Sequence, residues 1–190
     1  MLALKNKYFL IIESTKDINL KNIKKHNKFN IILRCKVIKD KIDELIQFRK
    51  QCKSKKIKFY IANNLKLCVL LKSDGIYLSS YNHSFKQLNL RKSNFDIIGS
   101  AHNFQEIYFK IKQGCTYILM SKLFMVDYDK KSPFIGAVKY NQYLLNIYKK
   151  LIPLGGINYN NLTKLKNLNC EGFALKSEVK KKPAIIDRLF

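Results

Sequence analysis

Short apolar runs, polar tips and helix-like stretches follow one another along the whole chain. The runs are Tyr8–Ile12, Phe29–Leu33, Ile57–Ala62, Gly75–Leu78, Asp96–Gly99, Thr116–Met120, Leu151–Leu154 and Gly172–Leu175. They are close to continuous in Ile, Leu, Phe, Tyr and Val rather than alternating, as strands buried on both faces should be. Between them lie helical patterns. Residues 40–52 place Ile42, Leu45, Ile46 and Arg49 at helical spacing, with Asp40 as N-cap and Asp43 and Glu44 in the first turn. Residues 103–114 open on Asn103 with Glu106 three positions on, a capping-box arrangement, and stop at Gly114. Lys110 is read as lying on the exterior of this helix. Residues 160–168 carry Leu162, Leu165 and Leu168 three apart and read as a further helix, whereas 65–72 and 84–91 read as one-turn or irregular. Eight strands alternating with helices predict a parallel sheet with right-handed crossovers, closed into a (β/α)8 TIM barrel. An open doubly wound sheet is the alternative, but no Gly-x-Gly-x-x-Gly follows the first strand. No linker or second domain is visible. The expectation is one domain over 1–190, with 179–190 a C-terminal tail or short helix.

Composition changes this picture little. With 47% hydrophobic residues in 190, the chain can bury one sizeable core. No apolar run reaches bilayer length, and the apolar stretch at Tyr8–Ile12 is too short for a signal peptide, with Glu13 directly after it, so a cytoplasmic location is expected. Five widely spaced cysteines form no CxxC pair. Cys35, Cys68 and Cys115 lie in apolar runs and read as core hydrophobes.

The net charge of +24 does matter. It invites a nucleic-acid reading. The lysines are dispersed from Lys5 to Lys182, however, with no basic tail and no RRM, KH or helix-turn-helix signature. Compositional drift toward Lys, Asn and Ile is the preferred account, and a basic nucleic-acid-binding domain is the least favoured of the functional readings. A basic surface would still concentrate anionic ligands.

In such a barrel, chemistry sits just past the C-terminal ends of the strands. The second tip, Leu33-Arg34-Cys35-Lys36, has two cations two residues apart, which a strand end projects to one side, suited to a pyrophosphate. The third holds Asn63 and Asn64; the fourth runs Tyr77-Leu-Ser-Ser-Tyr-Asn82. Such amides hold phosphate oxygens or cap loops. The fifth, Gly99-Ser100-Ala-His102-Asn103, places a serine and a proton-transferring histidine before a helix. The sixth opens a long basic segment, 121–136, read as a lid over an anion. The seventh, Leu154-Gly155-Gly156-Ile157, lets backbone N–H groups approach a phosphate, and the eighth adds those around Ser177. Glycine backbone after strand seven with a helix start after strand eight is the usual phosphate site of these barrels.

In order, these tips resemble the thiamine-phosphate synthase family, which includes the related thiazole tautomerases. The resemblance spans Tyr8 to Glu178. Ile32-Leu-Arg34-Cys-Lys36 stands where the family has Gln-x-Arg-x-Lys, and Ile61-Ala-Asn63-Asn64 where it has a strand ending in Asn-Asp. Ser73-Asp-Gly-Ile-Tyr-Leu is similar to its Ala-Asp-Gly-Val-His-Leu, Ile98-Gly-Ser100-Ala-His102-Asn, one residue short before Ser100, to its Gly-x-Ser-x-His-[Ser/Thr], and Leu154-Gly155-Gly156-Ile157 to its Ile-Gly-Gly-Ile. The resemblance implies a transferase that condenses an aminopyrimidine-methyl pyrophosphate with a thiazole phosphate. By that reading Arg34, Lys36 and Asn63 hold the pyrophosphate, Ser100 lies near the leaving group, and Lys130 is the lid lysine. Gly155, Gly156 and Ser177 bind the thiazole phosphate. A thiazole tautomerase using His102 as acid/base, or a non-catalytic phosphate-ligand-binding relative, is the alternative.

The chain departs from the family pattern where the metal is concerned. The family's two magnesium carboxylates fall at Asn64 and Asn82, and an amide is a far poorer ligand for a hard divalent cation. The lid reads Val126-Asp-Tyr-Asp-Lys130 in place of Thr-x-Thr-Lys, and Lys176 replaces an apolar residue. The resemblance thus implies magnesium as cofactor, while the lost carboxylates imply a weakened requirement for it.

Overall fold

The computed structural model describes residues 7–22, 29–34, 41–126, 129, 131–147 and 150–176. Eight parallel strands follow the order β7-β6-β5-β4-β3-β2-β1-β8. They are β1 (Lys7–Ile12), β2 (Asn30–Leu33), β3 (Phe59–Ala62), β4 (Gly75–Leu78), β5 (Asp96–Ala101), β6 (Tyr117–Met120), β7 (Lys150–Pro153) and β8 (Gly172–Leu175). A parallel bridge between Leu154 and Ala174 joins β7 to β8 and completes the ring. The chain is therefore a (β/α)8 barrel, with the ends of six expected strands moved by one or two residues, β1 and β5 being longer than expected.

Side chains of each strand divide between two apolar layers, the physical reason that the runs do not alternate. Phe9, Ile11, Ile32, Tyr60, Tyr77, Ile98, Leu119, Ile152, Leu154 and Ala174 fill the interior. Their neighbours, such as Leu10, Ile31, Ile61, Ile76, Ile97, Ile118 and Phe173, face outward into the shell. That shell includes α1 (Ile42–Ser54), α2 (Leu65–Leu70), α3 (Phe104–Lys112) and α4 (Gly136–Leu145). Helix α1 buries Leu45, Phe48 and Cys52, a stripe shifted from the expected one, so that Ile42 is exposed. Asp40, its expected cap, lies outside the described residues, as do Cys35 and the expected tail at 179–190. Cys52, Cys68 and Cys115 are buried thiols.

One expected helix is corrected, and one segment read as one-turn or irregular is assigned. Tyr159–Asn167 is a 3-10 segment opened by a reciprocal cap between Asn158 and Asn161. Its leucines recur every third residue, which matches a 3.0-residue turn rather than a 3.6-residue one. Leu162, Leu165 and Leu168 are all buried by it. Lys86–Ser93 is likewise 3-10. Helix α3 begins as anticipated, Asn103 accepting from the Glu106 N–H, but the Glu106 carboxylate reaches back to the N–H of His102 instead of that of Asn103.

Candidate active site at the barrel mouth

Residues one step beyond the interior layer surround the C-terminal mouth. Arg34 follows Ile32 on the inward side of β2, and its guanidinium carbon lies 5.9 Å from the centre of the Tyr77 ring. Tyr77 is fully buried, and its hydroxyl lies beside Ser100. Burial pushes this phenol above its ordinary pKa, with Arg34 and Ser100 pulling the other way. Ser100, 4% exposed, follows Ile98 on the inward side of β5. Arg34, Tyr77 and Ser100 thus meet at one place. On the neighbouring strand ends, Lys176 after β8 pairs with Glu13 after β1 at 3.4 Å.

The tips of β3 and β4 form an amide network. Asn63, in left-handed backbone at φ 55°, donates from Nδ2 to the Ser79 hydroxyl at 2.6 Å. Its Oδ1 accepts from the Ser79 N–H and from Asn82 Nδ2. The Asn82 oxygen accepts from the Ser84 N–H, and the Asn64 oxygen caps α2 by accepting from the Leu67 N–H. These amides build the loop; their oxygens are already engaged.

Beneath that loop the structure corrects an expectation. Lys110 is not on a helix exterior: it is fully buried, and its ammonium donates to the carbonyls of Ser79 at 2.7 Å and Asn82 at 2.8 Å and to Gln113 Oε1 at 2.8 Å. An ammonium has three donors, and all three are used. Desolvation lowers its pKa from the ordinary lysine value. Gln113 completes the arrangement by donating to the carbonyls of Asn82 and Ser84. The signal for this burial in the sequence is periodicity, because Lys110 stands three residues after Ile107, the other buried position of α3.

At the neighbouring tips of β5 and β6, His102 is exposed, with Nδ1 3.1 Å from both the carbonyl and the hydroxyl oxygen of Ser121. The start of the expected lid is tied down. Leu123 N–H donates to Leu154 O and Phe124 N–H to Gly155 O, while Ile135 and Gly136 donate back to Lys122 and Leu123. Lys122 pairs with Asp129 at 2.6 Å and donates to Ser132. Lys122 holds the Asp129 carboxyl below the usual carboxylate range. Gly155 and Gly156 have φ of 91° and 69°. A β-carbon on Gly156 would run into the carbonyls of Phe124 and Met125. Glycine is thus demanded by the docking of the β6 loop as well as by the turn. Lys36, Lys130 and Ser177 lie outside the described residues.

The donor set at the tips of β3 and β4 does not fit magnesium. Asn64 and Asn82 are neutral and their oxygens accept backbone N–H groups, whereas the ion prefers charged oxygens. Among the described residues, no three His, Cys, Asp or Glu side chains come together as a metal site, and no helix is long and apolar enough to cross a membrane.

Fold and mouth define a (β/α)8 barrel protein whose polar groups gather at the C-terminal ends of the strands, where such barrels bind their ligands. A family model described as thiamine monophosphate synthase matches residues 20–179, and the chain belongs to that family. It is 30% identical over 140 residues to a thiamine-phosphate synthase of Prochlorococcus marinus subsp. pastoris, covering 73% of this chain and 40% of that protein. A thiamine-phosphate synthase of Clostridioides difficile is 25% identical over 128 residues, covering 66% of this chain and 60% of the other. The chain thus spans about two fifths to three fifths of the length of these curated relatives. The fold is similar to that of thiamine phosphate pyrophosphorylase from Pyrococcus furiosus, with a TM-score of 0.68, 15% identity, and coverage of 99% of this chain and 100% of the other.

Proposed function

We propose that the chain is a thiamine-phosphate synthase, a transferase acting in the cytoplasm. In the reaction, the bond between the pyrimidine methylene carbon and the pyrophosphate oxygen breaks. Pyrophosphate leaves with the electron pair, and the lone pair of the thiazole nitrogen closes on the pyrimidine cation. The protein's task is to hold two anionic substrates in line and to neutralise the charge that develops on the leaving group. Arg34 and Lys36 face the pyrophosphate from the β2 tip, and Ser100 lies beside its departing oxygen. Asn63 supports that site through the β4 tip, and Lys130 closes over it. Gly155, Gly156 and Ser177 take the thiazole phosphate through backbone N–H groups.

The observation that carries this reading is the meeting of Arg34, Tyr77 and Ser100 inside the mouth. The test is a coupled assay for thiamine phosphate, with magnesium and with EDTA. Product in both conditions is expected; no condensation in either rejects the synthase reading.

One observation favours the tautomerase alternative. Ser121 fixes Nδ1 of His102, so the exposed ring is held in one orientation for proton transfer. Thiazole isomerisation that is lost in His102→Ala, without condensation activity in the parent protein, would select it.

A further inference from the structure

The family chemistry implies a divalent cation at the tips of β3 and β4, and the donors there do not suit one. The same tips rest on a buried cation that belongs to the chain itself. Lys110 grips the two ends of the Ser79–Asn82 turn by their carbonyls, and Gln113 fills its third donor position. The turn then holds Asn63 from both sides, through Ser79 and through the Asn82 amide. Room for the lysine stem is built in. A β-carbon on Gly99 would stand 3.0 Å from Lys110 Cγ and Cδ and 2.8 Å from Cys115 Sγ, so β5 carries no side chain where the stem crosses it. Burying an ammonium is expensive unless its partners are in place. A cation so completely enclosed, against the loop that borders the mouth, is more than a solvated charge that happened to fold inward.

We propose that Lys110 is the positioning residue of the pyrophosphate side of the mouth, its enclosed ammonium holding the β4 tip in its receiving shape without a divalent cation. This rests on the synthase reading and adds to it. Lys110 touches no ligand, because its three donors are spent on protein oxygens. Its effect passes through the turn to Asn63 and through its own positive charge, which water does not screen.

The experiment measures binding of inorganic pyrophosphate to the full chain by calorimetry, in EDTA and in excess magnesium, with inorganic phosphate as the probe of the glycine side. In the parent protein, pyrophosphate should bind with similar affinity in both conditions. Lys110→Met should weaken pyrophosphate by about tenfold or more, the scale of one lost charge-assisted hydrogen bond, and leave phosphate binding unchanged. A merely structural lysine would lower the melting temperature and leave both affinities of the folded protein alone. If Lys110→Met does not fold, Lys110→Gln keeps a neutral donor in the same place, and the metal comparison on the parent protein needs no variant. Unchanged pyrophosphate affinity in a folded Lys110 variant, or parent binding that requires magnesium, overturns the inference and leaves the synthase reading standing. No pyrophosphate binding under either condition overturns both.

Discussion

The lower end of the barrel and the β2–β4 side of its mouth handle charge in opposite ways. At the N-terminal ends of the strands, acids are matched with bases across neighbouring elements. Asp96 takes Lys58 at 2.7 Å and the Tyr60 hydroxyl at 3.0 Å. Asp74 takes Arg49 at 3.0 Å and the Phe59 N–H, and Glu171 takes Lys150. Burial and Asp96 together push the Tyr60 phenol far up, which keeps it a donor. At the C-terminal end, the tips of β3 and β4 carry amides in place of acids. Arg34 faces an aromatic ring, and Lys110 faces carbonyls. In a chain with 13 acids against 37 bases, where the acids stand is informative. The lower end uses them to fasten strands. On the sides of β2, β3 and β4, the positive charges of Arg34 and Lys110 face a ring and carbonyls rather than acids.

Three substitutions test that division, beginning with the largest effect. Arg34→Ala should lower the condensation rate on the order of 10²-fold or more, as loss of a charge-stabilising donor does, with little change in melting temperature. Full activity in this variant would remove the mouth from the comparison. Gly156→Ala should reduce affinity for thiazole phosphate by about 1–3 kcal/mol, the scale of a lost backbone hydrogen bond or a strained turn. Dephosphorylated thiazole should be unaffected. Because the new β-carbon meets the Phe124 and Met125 carbonyls, the melting temperature should fall as well. Equal losses for both ligands would sink the phosphate assignment. The smallest effect belongs to the lower end. Asp96→Asn, which discharges an ion pair but keeps an acceptor for Tyr60, should cost about 1 kcal/mol in urea denaturation and leave kcat and KM alone. A kinetic defect there would show that the two ends are not separate.

Much of the barrel is legible in the order of residues. Strands buried on both faces have to be written as unbroken apolar runs, so β4 and β8 appear with their actual ends and the other six to within one or two residues. The cap at Asn103 and the stop at Gly114 are local backbone requirements and are as visible in the letters as in the fold. The 3-10 character of Tyr159–Asn167 is present in the three-residue leucine spacing, which an α-helical reading of the same leucines passes over.

What the sequence determined by itself is the set of local and periodic demands: strand order, caps, the glycines of the seventh tip, and the ordered tips that mark the family. Only the tertiary structure decided what depends on residues distant in the chain. Lys110 is buried because β4 and β5 bring Ser79, Asn82 and Gly99 to it, and no property of lysine in α3 foretells those acceptors. The Asn82 oxygen faces the Ser84 N–H, and its amide nitrogen joins Asn63, because a turn closed by Lys110 sets it there. Start and end of the expected lid are docked on their own β6 loop and the β7 tip, by backbone hydrogen bonds that no side-chain pattern encodes. Periodicity reports which face is apolar. Which polar group a folded chain closes around depends on where its other elements carry their acceptors, and that is settled by packing.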